Sequence, residues 1–191
     1  MPCFETCTIS IIIGSILRDT LCWGKLCKVS IIRPFNTFGP RQSNRAIIPT
    51  IITQLLGNNK TINLGALYPT RDFSYIDDTV SGFIAALKSK KSTGEVINIG
   101  SGYEISIGDL YDLICKLTNK FPKIHTEKAR VRPKKGEIYR LKANNNKAKK
   151  LINWQPTYAN KQGLVDGLKK TIEWFSNEEN LNKYKTDHYV T

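Results

Sequence analysis

The sequence predicts an α/β fold, and three observations carry that expectation. Short runs rich in β-branched residues alternate along the chain with apolar stripes at helical spacing. Glycine, proline, asparagine or aspartate stands at most of the junctions, where turns and helix ends favour them. No segment repeats at the periods of solenoids or propellers.

The elements follow in order. Residues 1–28 stand apart: four cysteines cluster there, apolar periodicity is poor and no helix start or stop is marked. From residue 29 each signal agrees with the next. Val29, Ile31 and Ile32 form a buried strand that ends at Arg33-Pro34 and opens into a loop closed by Gly39-Pro40. Ile47, Ile48, Ile51, Ile52 and Leu55 recur at helical spacing. Pro49 is tolerable in the first turn and Gly57 is a natural stop. Residues 62–64 and 73–76 read as two more strands. Asp77 or Asp78 can cap the next helix, whose buried face is expected to be Val80, Phe83, Ile84 and Leu87.

A strand over 95–99 precedes Ser106-x-x-Asp109, a capping box with Asp in place of Glu or Gln. Leu110, Leu113, Ile114 and Leu117 make the stripe behind it. A strand is expected over 121–124. Asn144 or Asn145 caps a short helix through Leu151, and Trp154 and Pro156 pin the chain after it. The last helix presents Leu164, Leu168, Ile172 and Phe175, and residues 177–191 are expected to be a loose polar tail.

Composition narrows the class. At 191 residues, 40% hydrophobic and 24% charged, the chain can build one water-excluding core. The apolar stretch 9–17 is too short to span a bilayer. No Lys or Arg precedes it and no cleavage site follows, so neither membrane insertion nor a signal peptide is expected. A net charge of +13 raises a polyanionic partner: nucleic acid, an acidic membrane face or a phosphorylated ligand. The lysines of the second half are scattered, and no zinc-finger or aromatic-basic RNA-binding signature occurs. A Lys-rich solvated surface therefore accounts for the charge, and nucleic acid is not the expected partner. Cys3, Cys7, Cys22 and Cys27 are spaced C-x3-C and C-x4-C, a poor fit to zinc knuckles, so no metal is expected. The fifth cysteine, Cys115, stands alone in a helix. That argues against a disulfide framework and makes a reducing cytoplasm the expected compartment.

Four residues invite a chemical reading, and each has a plainer one. Asn36 follows a strand end, where ligands bind in open α/β sheets, and its amide can donate to a phosphate or a sugar hydroxyl. It could equally stabilise a turn. Arg71 suits bidentate phosphate binding, or pairing with Asp72 or another surface carboxylate. Asn98 ends a strand before Gly100-Ser101-Gly102 and could reach a ligand or cap a turn. Arg132-Pro133 lies in a basic loop with Lys134 and Lys135, for which solvation is the plain account.

Together these pieces resemble the extended short-chain dehydrogenase/reductases, the NAD-dependent epimerase/dehydratase family. Arg33-Pro34-Phe35-Asn36-Thr37-Phe38-Gly39-Pro40-Arg41 resembles their R-x-x-N-x-Y/F-G-P segment. Thr70-Arg71-Asp72-Phe73-Ser74-Tyr75-Ile76-Asp77-Asp78 resembles R-D-F/W-x-Y/H-V-x-D. Val96-Ile97-Asn98-Ile99-Gly100 resembles the Y-N-I-G strand. Arg132-Pro133 with Glu137, then Leu151-Ile152-Asn153-Trp154-Gln155-Pro156, resembles the closing R-P-x-x-x-E and L-G-W-x-P signature. All four stand in the family's order, over roughly 29–175.

The resemblance implies the C-terminal part of a Rossmann-type parallel sheet plus a small α/β substrate-binding domain. Its expected boundaries are 1–28 unmatched, 29–176 family-like and 177–191 tail. Arg41-Gln42-Ser43 and Arg45-Ala46-Ile47-Ile48-Pro49-Thr50 look most like bacterial 4,6-dehydratases acting on nucleotide-linked N-acetylglucosamine, on routes to surface sugars. UDP-glucuronate decarboxylases and 4-epimerases are the runners-up. The resemblance implies that Asn36 and Arg71 hold the diphosphate of a nucleotide-diphosphate sugar. It places Asn98 and Arg132 on the nucleotide or its phosphates and Glu137 on a ribose hydroxyl. Ile48, Pro49 and Leu64 would wall the base, and Pro34 and Thr37 would lie beside the nicotinamide of NAD. The family forms homodimers.

The pattern breaks in two places. The family binds NAD with a Gly-x-x-Gly-x-x-Gly turn, and no such spacing occurs here. Its acid/base pair is Tyr-x-x-x-Lys, and no tyrosine of this chain has Lys four residues on. No catalytic residue is therefore assigned. A truncated or frameshifted gene, or a gene fragment, would produce this pattern, and the chain alone is expected to bind a nucleotide sugar without oxidising it.

Overall fold

The computed structural model describes residues 8–10, 29–57, 59–127 and 138–184, the first three by backbone alone. Its α/β character follows from the alternation seen in the sequence. Three parallel strands form one sheet in the order β1 (Thr8–Ser10), β2 (Val29–Pro34), β6 (Val96–Ile99). β1 lies within the segment that periodicity had left without elements.

A second layer is built around β5 (Thr70–Tyr75). It pairs in parallel with β3 (Asn36–Phe38), antiparallel with β7 (Glu104–Ser106), and in parallel with β9 (Arg140–Leu141). β4 (Thr61–Leu64) and β8 (Lys123–Thr126) make a separate parallel pair.

The helices pack by their apolar stripes. α1 (Ile47–Leu56), α3 (Ile107–Thr118) and α5 (Asn160–Ser176) enclose the larger core with Phe38, Leu64, Phe73 and Tyr75. Ser106 caps α3 as expected: its hydroxyl accepts from the Asp109 N–H (3.0 Å). The return bond differs from a standard capping box, because Asp109 accepts from the serine hydroxyl. A smaller core gathers Ile32, Ile97, Ile99 and Trp154 with α4 (Asn146–Ile152) and α2 (Ile76–Lys88).

Two expectations about α2 are corrected. Neither Asp77 nor Asp78 caps it; Tyr75 is the N-cap residue and both aspartates lie in the first turn. Its buried residues are Asp78, Thr79, Gly82 and Ala86, whereas Val80, Ile84 and Leu87 are exposed. The helix meets the sheet through its smallest side chains. A Cβ on Gly82 would stand 2.9 Å from the Ile99 side chain, so glycine sets how closely the two approach. The tail is corrected too: α6 (Glu178–Leu181) follows α5, and Tyr184 packs on Trp174 and Phe175.

Two buried carboxylates lock the layers. Asp72 accepts from Ser101 N (2.8 Å), Ser101 Oγ (2.7 Å), Gly102 N (2.9 Å) and Ala143 N (3.0 Å). Asp78 accepts from Thr157 N (2.7 Å) and Tyr158 N (2.8 Å), fixing the turn before α5. Burial raises the Asp78 carboxyl above its ordinary pKa, and these two backbone bonds offset only part of that.

Asp72→Asn should lower unfolding stability by about 2–4 kcal/mol, because its amide NH2 would face backbone donors left unpaired at about 1–3 kcal/mol each. Urea unfolding at neutral pH measures this; a loss within about 0.5 kcal/mol, the range of neutral surface changes, would refute it. Asp78 carries a pH signature of defined sign. With its pKa raised by folding, the native state binds the proton more tightly, so this contribution is full below the unfolded pKa and declines as pH rises through the folded one. Wild type should therefore gain on Asp78→Asn as pH falls through the carboxylate range. A stability difference independent of pH would contradict the assignment.

Candidate functional site

One cleft of about 370 Å³ opens where β3, α1 and β5 meet. Its floor follows from the short strand β3. Phe35 separates β3 from β2, and Asn36 pairs in register with Phe73 of β5. The Asn36 amide donates to the Asp72 carbonyl (2.9 Å). That bond sets the side-chain plane at the cleft and leaves a second N–H and the amide oxygen as ligand contacts.

The loop from Gly39 to α1 forms the next wall. Arg41 takes a left-handed conformation (φ 65°). Gln42 Nε2 donates to the Thr37 carbonyl (2.6 Å), and Thr50 Oγ1 donates to the Asn44 carbonyl (2.7 Å). The loop is thereby folded back so that the start of α1 faces the cleft. Ala46, at the N-cap, offers no side-chain cap, and no acidic residue lies in the first turn. An uncapped helix start presents backbone N–H groups and a positive dipole end, which favour an anion.

The opposite wall is Leu64 of β4, the Gly65–Ala66 backbone, Pro69 and Ile107. Arg71 lines the cleft from within β5. Its Nη1 donates to the carbonyls of Thr70 (2.8 Å) and Ile138 (2.6 Å), which steady the guanidinium. Arg45 is the second cation on the lining, and among the described residues no Asp or Glu lines it. Asp72 is not the partner of Arg71: its carboxylate is committed to Ser101, Gly102 and Ala143.

The structure thus gathers Asn36, Thr37, Ile48, Leu64 and Arg71 around one cavity. Thr37 shares its hydroxyl with Thr79 Oγ1 (3.0 Å) and the Phe35 carbonyl (3.1 Å). Pro49 is buried within α1, off the lining. Pro34 ends β2 opposite Ile99, and Asn98 stands on β6 opposite Arg33, so both belong to the first sheet and not to the cleft wall. Arg132 and Glu137 lie outside the described residues. Gln42, Arg45, Pro69, Phe73 and Ile107 were not singled out one by one from sequence. Gln42 and Arg45 stood in segments already tied to the dehydratases, but nothing local distinguished their side chains from solvated ones.

Among the described residues no three His, Cys, Asp or Glu side chains are grouped to hold a metal, and no helix is long and apolar enough to cross a membrane. The cleft lining combines two guanidinium groups and fixed amide donors with apolar walls, suited to a ligand that joins a phosphate chain to rings.

Comparison with known proteins agrees with this geometry. A family profile described as GDP-mannose 4,6 dehydratase matches residues 24–166. The chain is 36% identical over 172 residues to a UDP-N-acetyl-alpha-D-glucosaminuronate decarboxylase of Bacillus cytotoxicus, covering 86% of this chain and 52% of that protein. It is 32% identical to human dTDP-D-glucose 4,6-dehydratase, over 82% of this chain and 43% of the other. The crystal structure of UDP-glucuronic acid 4-epimerase from Bacillus cereus, in complex with UDP-glucuronic acid and NAD, superposes with a TM-score of 0.74 at 32% identity, over 84% of this chain and 49% of that one. The chain spans about half the length of the curated relatives it matches.

Proposed function

Because this chain belongs to the NAD-dependent nucleotide-sugar epimerase/dehydratase family, matched through its GDP-mannose 4,6 dehydratase profile, we propose that it is the nucleotide-sugar-binding portion of a 4,6-dehydratase acting on nucleotide-linked N-acetylglucosamine. The observation that carries this reading is the convergence of Asn36, Arg71 and the uncapped start of α1 on one cleft. The diphosphate lies between the Asn36 amide and the Arg71 guanidinium. Both are pre-set by bonds to backbone carbonyls, so little side-chain entropy is lost on binding. Ile48 and Leu64 wall the nucleoside. The dehydratase choice rests on the segments around Arg41 and Arg45. A decarboxylase or 4-epimerase portion is the alternative, favoured by the names of the Bacillus proteins above. Preference for UDP-glucuronate over UDP-N-acetylglucosamine would select it.

NAD supplies hydride chemistry in this family, and the residues of this chain do not fit it. The sequence has neither a Gly-x-x-Gly-x-x-Gly turn nor a Tyr-x-x-x-Lys pair. What this chain contributes is binding and orientation of the sugar nucleotide. Purified alone, with NAD and UDP-N-acetylglucosamine, it should give no 4-keto sugar. Loss of the acid/base group alone costs roughly 100- to 10,000-fold. Protein-dependent 4-keto product, detected by mass spectrometry, would overturn this.

Binding is tested at Arg71. A charge-assisted hydrogen bond to phosphate contributes roughly 1.5–3 kcal/mol, so Arg71→Ala should weaken UDP-sugar binding by about 10- to 100-fold. Arg71→Lys should recover only part, because an ammonium cannot reproduce the planar fork. Calorimetric titration with UDP and with UDP-N-acetylglucosamine reads this. UDP binding indifferent to Arg71→Ala, or absent beside tight binding of a DNA duplex, would reject the assignment.

A further inference from the structure

Two tyrosines stand beside the cleft and belong to neither core. Tyr68 and Tyr139 are 54% and 57% exposed, yet their rings stack, 28° from parallel with centroids 5.6 Å apart. A pair that buries so little of itself adds little to the fold as a whole. What it joins is specific. Tyr68 directly precedes Pro69, which lines the cleft with Arg71. Tyr139 directly follows Ile138, whose carbonyl accepts from Arg71 Nη1 (2.6 Å). The Tyr139 carbonyl itself accepts from Thr70 N (2.9 Å), where β9 begins its pairing with β5. The next residue, Arg140, binds Glu104 of β7 in an exposed ion pair, which is a weak tie.

We propose that Tyr68 and Tyr139 are positioning residues of the cleft. Their stack holds residues 138–139 against the start of β5, and so keeps the Ile138 carbonyl where it orients the Arg71 guanidinium for a phosphate. The inference rests on the reading of Arg71 as a diphosphate ligand. A guanidinium is planar, so a carbonyl held at one edge sets the direction in which the rest of the plane faces. Aromatic stacking suits the task, because it fixes the separation and tilt of two segments without placing a competing charge beside the arginine. Neither tyrosine lines the cleft, so the effect on a ligand passes through Arg71.

Calorimetric titration of the full chain with UDP tests this. Tyr68→Ala and Tyr139→Ala should each weaken binding by about 2- to 10-fold, the contribution of one aromatic pair. Tyr68→Phe and Tyr139→Phe keep the rings and should restore the affinity. Adding Tyr139→Ala to Arg71→Ala should cost nothing further, since the residue through which it acts is gone. Without ligand, hydrogen exchange at the Thr70 amide should quicken in Tyr68→Ala while the melting temperature holds, which separates a local clamp from a general loss of stability. Alanine variants that bind UDP like wild type, where Arg71→Ala does not, would overturn this inference and leave the nucleotide-sugar reading standing. A Tyr139→Ala loss that persists in the Arg71→Ala background would also overturn it, as the mark of direct contact with the ligand. So would Thr70 exchange unchanged in Tyr68→Ala. Failure of wild type to bind UDP would remove both.

Discussion

The structure depends most on the carboxylate of Asp72. A fully buried carboxylate is tolerated only when its charge is met by donors. Here four donors from two distant stretches of chain meet it: Ser101 and Gly102 after β6, and Ala143 after β9. These bonds tie the end of the first sheet to the second layer. They also require the chain to run close to itself at Gly100, where a Cβ would stand 2.2 Å from that of Ala143. The Asn145 amide donates to the Gly100 carbonyl (2.7 Å) and reinforces the same crossing.

The cleft inherits its precision from that lock. Asn36 is held by the Asp72 carbonyl, and Arg71 is the residue next to it on β5. Side chain and backbone of one aspartate therefore serve different ends: the carboxylate closes the fold, while the carbonyl orients a cleft amide. The Asp72 carboxylate spends its hydrogen bonds on Ser101, Gly102 and Ala143, while the Arg71 guanidinium is steadied by the Thr70 and Ile138 carbonyls. The charged pair that does form nearby, Arg140 with Glu104, joins β9 to β7 and depresses the Glu104 carboxyl through the arginine hydrogen bonds.

The two cores divide the work. The larger one, around Phe38, Phe73 and Tyr75, supports the cleft from beneath and packs α1, α3 and α5. The smaller one, around Ile32, Ile97 and Ile99, holds α2 and α4 on the first sheet. α2 approaches that sheet closely through Gly82 and Ala86, with Phe83 packed on the same core, while Val80, Ile84 and Leu87 turn outward. The stripe that results is a consequence of which face packs more closely, not of a lack of apolar residues.

Much of this could be read from the chain alone. Local signals in sequence come from near neighbours along the chain, and these placed α1, α3 and α5, the Ser106 cap, and β2 and β6 of the first sheet, but not β1. The motif segments likewise pointed to Asn36, Arg71, Ile48 and Leu64, which share one cleft in the structure. Sequence could not choose the face of α2 that packs. Periodicity finds a stripe, but burial is set by what lies opposite, and Ile99 is distant along the chain. It could not exclude a pairing of Arg71 with Asp72, because the donors that take up the Asp72 carboxylate come from 101, 102 and 143. Nor could it tell that Asn98 and Pro34 stand on a different sheet from the cleft wall. Elements are local and were determined by the sequence. The partners of a buried charge, and the face that a helix turns inward, are non-local and were decided only when the layers packed.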